Sequence, residues 1–217
     1  MQMESAACDA QDGLRDGELA DPRRCHWSAK AAICGRASLI AVLQKTYGTN
    51  APAAVHEYGL DSDTPPAADP VLGSVGTIWL TDSRFRCGAV MAVAWHAATG
   101  APVYEYQFEQ SLPGHEASGA AHGYEIPYVW GNLLPGGRMG GPFTPADHAL
   151  SDTMMLYWTN FAKNGDPNGA GAPLWPRFNA ENRAFVRFST NLHGNVKADE
   201  GLRKSACELY EKSLTIR

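Results

Sequence analysis

Gly119-Ala120-Ala121-His122-Gly123-Tyr124-Glu125-Ile126-Pro127-Tyr128-Val129-Trp130-Gly131 is the stretch on which the reading of this chain turns. It lies in a region, 111–142, dense in Gly and Pro. Such density predicts mostly loop, and loops held by a rigid scaffold are where catalytic groups tend to sit. A histidine between small side chains has room to meet a substrate. Free imidazole titrates near ~6.5, which suits general acid–base work around neutrality. A loop histidine on its own is more often a surface or hydrogen-bonded residue. His26, His96, His115, His148 and His193 carry nothing beyond that reading.

The neighbouring segments alternate between strand and helix signals. Upstream, Pro102 precedes Val103-Tyr104-Glu105-Tyr106-Gln107-Phe108, which alternates aromatic and polar as a half-buried strand does. Before that, a helix is expected from about Asp82 to Thr99, with Gly100 as its C-cap. Leu39, Ile40 and Leu43 predict a short helix ending near Gly48, and Asp61–Pro70 reads as a loop. Downstream, Thr144, Pro145 and Asp147 form a helix-start signature, and Gly165 and Pro167 stop that helix. Its Leu150, Met154, Tyr157, Trp158 and Phe161 fall on one face, expected to be buried. Ala184–Phe188 reads as a strand. A last helix is expected over Asp199–Leu214, with Leu202, Ala206 and Leu209 inward. Strands alternating with helices predict an α/β class.

Composition narrows the function classes. With 44% hydrophobic and 19% charged residues, the 217-residue chain can bury a sizeable core, which argues against disorder. A net charge of −5 without a basic run argues against a nucleic-acid partner. No apolar stretch reaches the ~20 residues that cross a bilayer, so no membrane partner is expected. The N-terminus lacks the basic-then-apolar pattern of a signal peptide. Five cysteines without a Cys-x-x-Cys pair, and no His-x-x-x-His, point to no metal site. No cofactor motif is present. The glycine-rich run Pro135–Gly141 lacks the Lys-Ser/Thr of a phosphate loop.

The string around His122 resembles the histidine motif of type B carboxylesterases, the family that includes cholinesterases. Four further strings resemble the same family in the same order. They are Thr81-Asp82-x-x-Phe85-x-Cys87, Pro102-Val103-Tyr104-x-Tyr106-x-Phe108, Tyr157 to Asn168, and Trp175-Pro176-x-Phe178. The resemblance covers about residues 38–217 and leaves 1–37 as a poorly defined N-terminal segment unlike the family. It implies the C-terminal part of an α/β-hydrolase fold. It also implies hydrolysis of a small-molecule ester by a Ser–His–Glu triad, with His122 matching the catalytic histidine.

The other triad members find no match. No Gly-x-Ser-x-Gly elbow occurs. Ser38 and Ser118 both fail that pattern, and neither Glu18 nor Glu57 sits in a family-like context. Three readings follow. The chain is a piece of a carboxylesterase lacking the serine nucleophile, or a non-enzymatic cholinesterase-like interaction module, or a small esterase using an unrecognised serine. Truncation would expose apolar surface and so predicts self-association. The resemblance further implies that Asp82 pairs with Arg203. It also implies that Cys87 and Cys207 form a disulfide, which would point to an exported parent enzyme. Cys8, Cys25 and Cys34 are expected to stay outside that bridge.

Overall fold

A computed structural model describes residues 35–64, 66–116, 119–134 and 141–214. The opening is helical. α1 (Arg36–Tyr47) and α2 (Ala51–Glu57) are joined by a 3-10 turn, Gly48–Asn50. α1 therefore begins inside the N-terminal segment whose first 34 residues, with Cys8, Cys25, Cys34 and Glu18, lie outside the described residues. Next come α3 (Val75–Thr81), a π-turn (Asp82–Arg86) and α4 (Cys87–Ala97). The three run on without a break, so the helix expected from Asp82 begins seven residues earlier. Its true start is set by the Ser74 hydroxyl, which caps the Thr77 N–H.

β1 (Glu105–Phe108) leads into the loop that carries His122 and the short α5 (Ile126–Val129). α6 (Pro145–Asn164) follows, with the capping box of Thr144 and Asp147 in place and Gly165 left-handed beyond its end. β2 (Ala184–Phe188) and β3 (Val196–Glu200) form a hairpin, and α7 (Lys204–Leu214) ends the described chain. The last helix thus starts at Lys204. Asp199, expected within it, belongs to β3 and lies opposite Phe185.

The sheet has the order β1-β2-β3, with β1 parallel to β2 and β2 antiparallel to β3. A parallel pair needs a long crossover, and α6 is its main helix. The α/β expectation holds. Two apolar clusters fill the interior. One packs α1, α2 and α3 around Leu43, Tyr47, Leu60 and Trp79, and Ala206 of α7 completes it. The other packs α6 on the sheet through Leu150, Met154, Tyr157, Trp175, Val186 and Phe188. The buried stripe of α6 is narrower than expected, because Trp158 is half-buried and Phe161 exposed.

Two long-range ties join the final helix to the body. Cys87 and Cys207 form a disulfide with Cα atoms 4.8 Å apart across 120 residues. Asp82, fully buried, accepts from both Arg203 Nε and Nη2 at 3.0 Å and from the Tyr58 hydroxyl at 3.1 Å, and also pairs with Arg86. Both were implied by the resemblance, and both are present.

Candidate active site around His122

His122 occupies a glycine-framed turn. Gly119 and Gly123 hold φ of +61° and +84°, values that glycine adopts without strain. A Cβ at Gly119 would also stand 3.0 Å from the Val71 carbonyl oxygen. The Tyr124 N–H closes the turn onto Ala121 O at 3.1 Å. The loop is then pinned from its far side. Fully buried Tyr128 of α5 donates to Asp147 at 2.7 Å, and Ser151 of α6 donates to the Tyr128 carbonyl at 2.7 Å. The Asp147 that caps α6 therefore also anchors the segment beside the histidine.

The imidazole itself is exposed and stacks on Phe85 of the π-turn, ring centroids 5.0 Å apart and planes 18° from parallel. Among the described residues no hydrogen bond engages either ring nitrogen, so both are available for proton transfer. Nor does any described carboxylate orient the ring. Glu57 is committed elsewhere, 3.5 Å from Arg203. Ser38 sits in the first turn of α1, and Ser118 and Glu18 lie outside the described residues. The structure leaves the His122 ring exposed and does not bring the other candidates to it. Phe85 is the site neighbour that the sequence did not disclose as such; it stands in the Thr81–Cys87 string, but contact across 37 positions has no local signal.

A separate cavity of about 290 Å³ opens beside β1, lined by Tyr104, Tyr106, Trp158, Phe161 and Trp175 among others. His122 does not line it. Among the described residues no grouping of His, Cys, Asp and Glu is set to hold a metal ion, and no helix is long and apolar enough to cross a membrane.

Residues 46–210 match the model of the Carboxylesterase family. The chain belongs to that family. Among its relatives is carboxylesterase 4A of Bos taurus, 38% identical over 123 residues, which are 55% of this chain and 22% of that protein. Human cocaine esterase is 39% identical over 47% of this chain and 19% of its own length. Acetylcholinesterase 1 of Caenorhabditis briggsae is 28% identical over 75% of this chain and 27% of that one. The crystal structure of a Geobacillus stearothermophilus carboxylesterase superposes with a TM-score of 0.62 at 27% identity, covering 81% of this chain and 35% of that chain. The fold is thus a partial α/β-hydrolase fold. This carboxylesterase-family chain spans about a fifth to a quarter of the length of the curated relatives it matches.

Proposed function

We propose that this chain is the C-terminal, histidine-bearing portion of a carboxylic ester hydrolase, with His122 as its general base and acid. The observation that carries the reading is the exposed His122 ring, framed by Gly119 and Gly123 and backed by Phe85, with both nitrogens unengaged among the described residues. In ester hydrolysis such a ring takes the proton of an attacking serine and returns it to the departing alcohol. The serine, its oxyanion donors and the acid would come from chain outside this sequence, which contains no Gly-x-Ser-x-Gly. Residues 38–217 form the carboxylesterase portion in this reading, and 1–37 stand apart from it. The substrate class is a small-molecule ester, and the Cys87–Cys207 bridge supports an exported parent.

The test has two arms. The isolated chain is assayed with para-nitrophenyl acetate and a fluorophosphonate label, and so is the reading frame extended upstream through any in-frame elbow. The isolated chain should show neither label nor His122-dependent turnover. The extended protein should show both, and His122→Ala should abolish its turnover while leaving it folded. Turnover by the isolated chain that is blocked by the label would establish an unrecognised serine instead. An extended protein indifferent to His122→Ala would end the proposal.

A further inference from the structure

Asn-Gly occurs twice in this chain, as Asn164-Gly165 and Asn168-Gly169, both around the end of α6. An asparagine before a glycine carries a latent reaction. The glycine nitrogen can attack the side-chain amide carbon of the asparagine and close a succinimide ring. Glycine has no Cβ to obstruct the approach. Two conditions govern the step. The side-chain amide must be free to swing onto the following nitrogen, and that nitrogen must be released from its own hydrogen bond. The two pairs differ sharply on both counts.

Asn168 is held from several sides. Its Oδ1 accepts from the Trp175 N–H at 2.7 Å, and its Nδ2 donates to Asp166 Oδ1 at 2.8 Å and to Trp175 O at 3.0 Å. Gly169 lies against a second tethered amide. Asn160 donates to Pro167 O at 3.1 Å, and a Cβ on Gly169 would stand 2.8 Å from Asn160 Nδ2. Trp175 is buried, so these bonds open only if the loop leaves the core.

Asn164 is the last residue of α6 and is exposed. Among the described residues no hydrogen bond engages its side-chain amide. The restraint is on the nitrogen alone. The Gly165 N–H donates to Phe161 O at 2.8 Å, with Gly165 left-handed at φ +71°. That bond closes the final turn, and final turns fray at little cost, whereas bonds anchored on the core do not.

We propose that Asn164 is a spontaneous modification site, converted through a succinimide into aspartate and isoaspartate, while Asn168 keeps its amide. The Gly165 nitrogen gives its proton to solvent base and bonds to Asn164 Cγ. The Cγ–Nδ2 bond breaks, and ammonia leaves with a proton from water. A second water then opens the ring at one of its two carbonyls. No oxidant, reductant or enzyme enters the balance. The product sets a carboxylate at the C-terminal end of α6, where the unpaired carbonyls already present negative charge. The isoaspartyl form also adds a methylene to the main chain, which displaces the Gly165 N–H from Phe161 O. Conversion therefore loosens the turn that carries Phe161, a wall of the aromatic cavity beside β1. The inference does not depend on the esterase reading.

The 217-residue chain is incubated in mildly alkaline water enriched in oxygen-18, then digested in ordinary water and mapped by mass spectrometry. Heavy oxygen enters a side chain only where an amide converts during the incubation. The expected result is heavy aspartate and isoaspartate at position 164, forming faster at higher pH. Position 168 should convert at least about tenfold more slowly, since its three side-chain hydrogen bonds must open first. The same chain in guanidinium chloride gives the rates without structure, and there the two positions should convert alike. Native conversion at 168 as fast as at 164 overturns the proposal. So does a native Asn164 that keeps its amide over an interval in which the unfolded chain converts. Neither readout needs a substitution, so a poorly folding variant does not shelter the idea.

Discussion

Phe85 and His122 stack nearly parallel, 5.0 Å between centroids, although one belongs to a helical π-turn and the other to a loop after the sheet. A ring lying over a phenyl face feels its ring current. The His122 carbon-bound protons should therefore resonate upfield of a free imidazole, and Phe85→Ala should return them downfield. Proton–carbon correlation spectra check this. Unchanged shifts in the variant would mean that the stack does not persist in solution.

Asp82 holds two arginines at once, Arg86 of its own turn and Arg203 before the last helix. Removing one partner of a buried ion pair leaves the other charge uncompensated, which typically costs ~3–5 kcal/mol. Asp82→Ala should lose stability on that scale in urea unfolding. A loss under about 1 kcal/mol would class the cluster with ordinary surface pairs.

Glu105 makes stability depend on pH with a definite sign. Burial raises its carboxyl from the ordinary 4.5 to about 7, so the folded chain holds this proton more tightly than the unfolded chain does. Its contribution is most favourable below about 4.5 and falls as pH rises towards 7, by of order 2–3 kcal/mol. Urea titrations between these limits should show that decline. Glu105→Gln should flatten it, and equal slopes for the two proteins would contradict the assignment.

Reduction of Cys87–Cys207 releases a loop of 120 residues, worth ~4–5 kcal/mol in the chain-entropy model. The doubly substituted Cys87→Ala, Cys207→Ala chain should melt well below the oxidised protein, and reductant should not shift it further. Coincident melting curves for oxidised protein and double variant would show that the bridge adds nothing.

Trp175 and Trp158 touch, with centroids 5.8 Å apart, but differ in burial. Trp175 is buried and its indole donates to Glu105 O at 3.0 Å, whereas Trp158 is half-buried. Trp175→Ala should cost the ~3–5 kcal/mol of a core aromatic, and Trp158→Ala clearly less. Chemical denaturation of both variants decides the order.

What the sequence disclosed was local. The Thr144–Asp147 capping box lies within four residues, and its reading stands in the structure. β3 went unread because the alternation of Val196-Lys197-Ala198-Asp199 is only four residues long and rests on one alanine and one valine; it is a strand by virtue of pairing with β2. The early start at Val75 was missed because the Ser74 cap stands eight residues ahead of Asp82, where the stronger signals begin. Phe161, at helical spacing from Trp158 and Tyr157, was expected inside, but no described element covers it. At the candidate site, the motif singled out His122, and the structure shows its ring exposed on a loop. The Phe85 stack and the pinning of Tyr128 by Asp147 are tertiary contacts, which periodicity cannot report.

The placement of Ala206 in the helical cluster has a consequence during synthesis. Leu39, Leu43 and Trp79 leave the ribosome well before Ala206, yet the surface they present is closed by Ala206, with Leu209 and Tyr210 packed alongside. Those partners lie on the last described helix. A nascent chain emerging at ~5–20 residues per second must carry these helices with one side open until Ala206 has followed them out. For that interval the apolar face of α1 to α3 is available to chaperones.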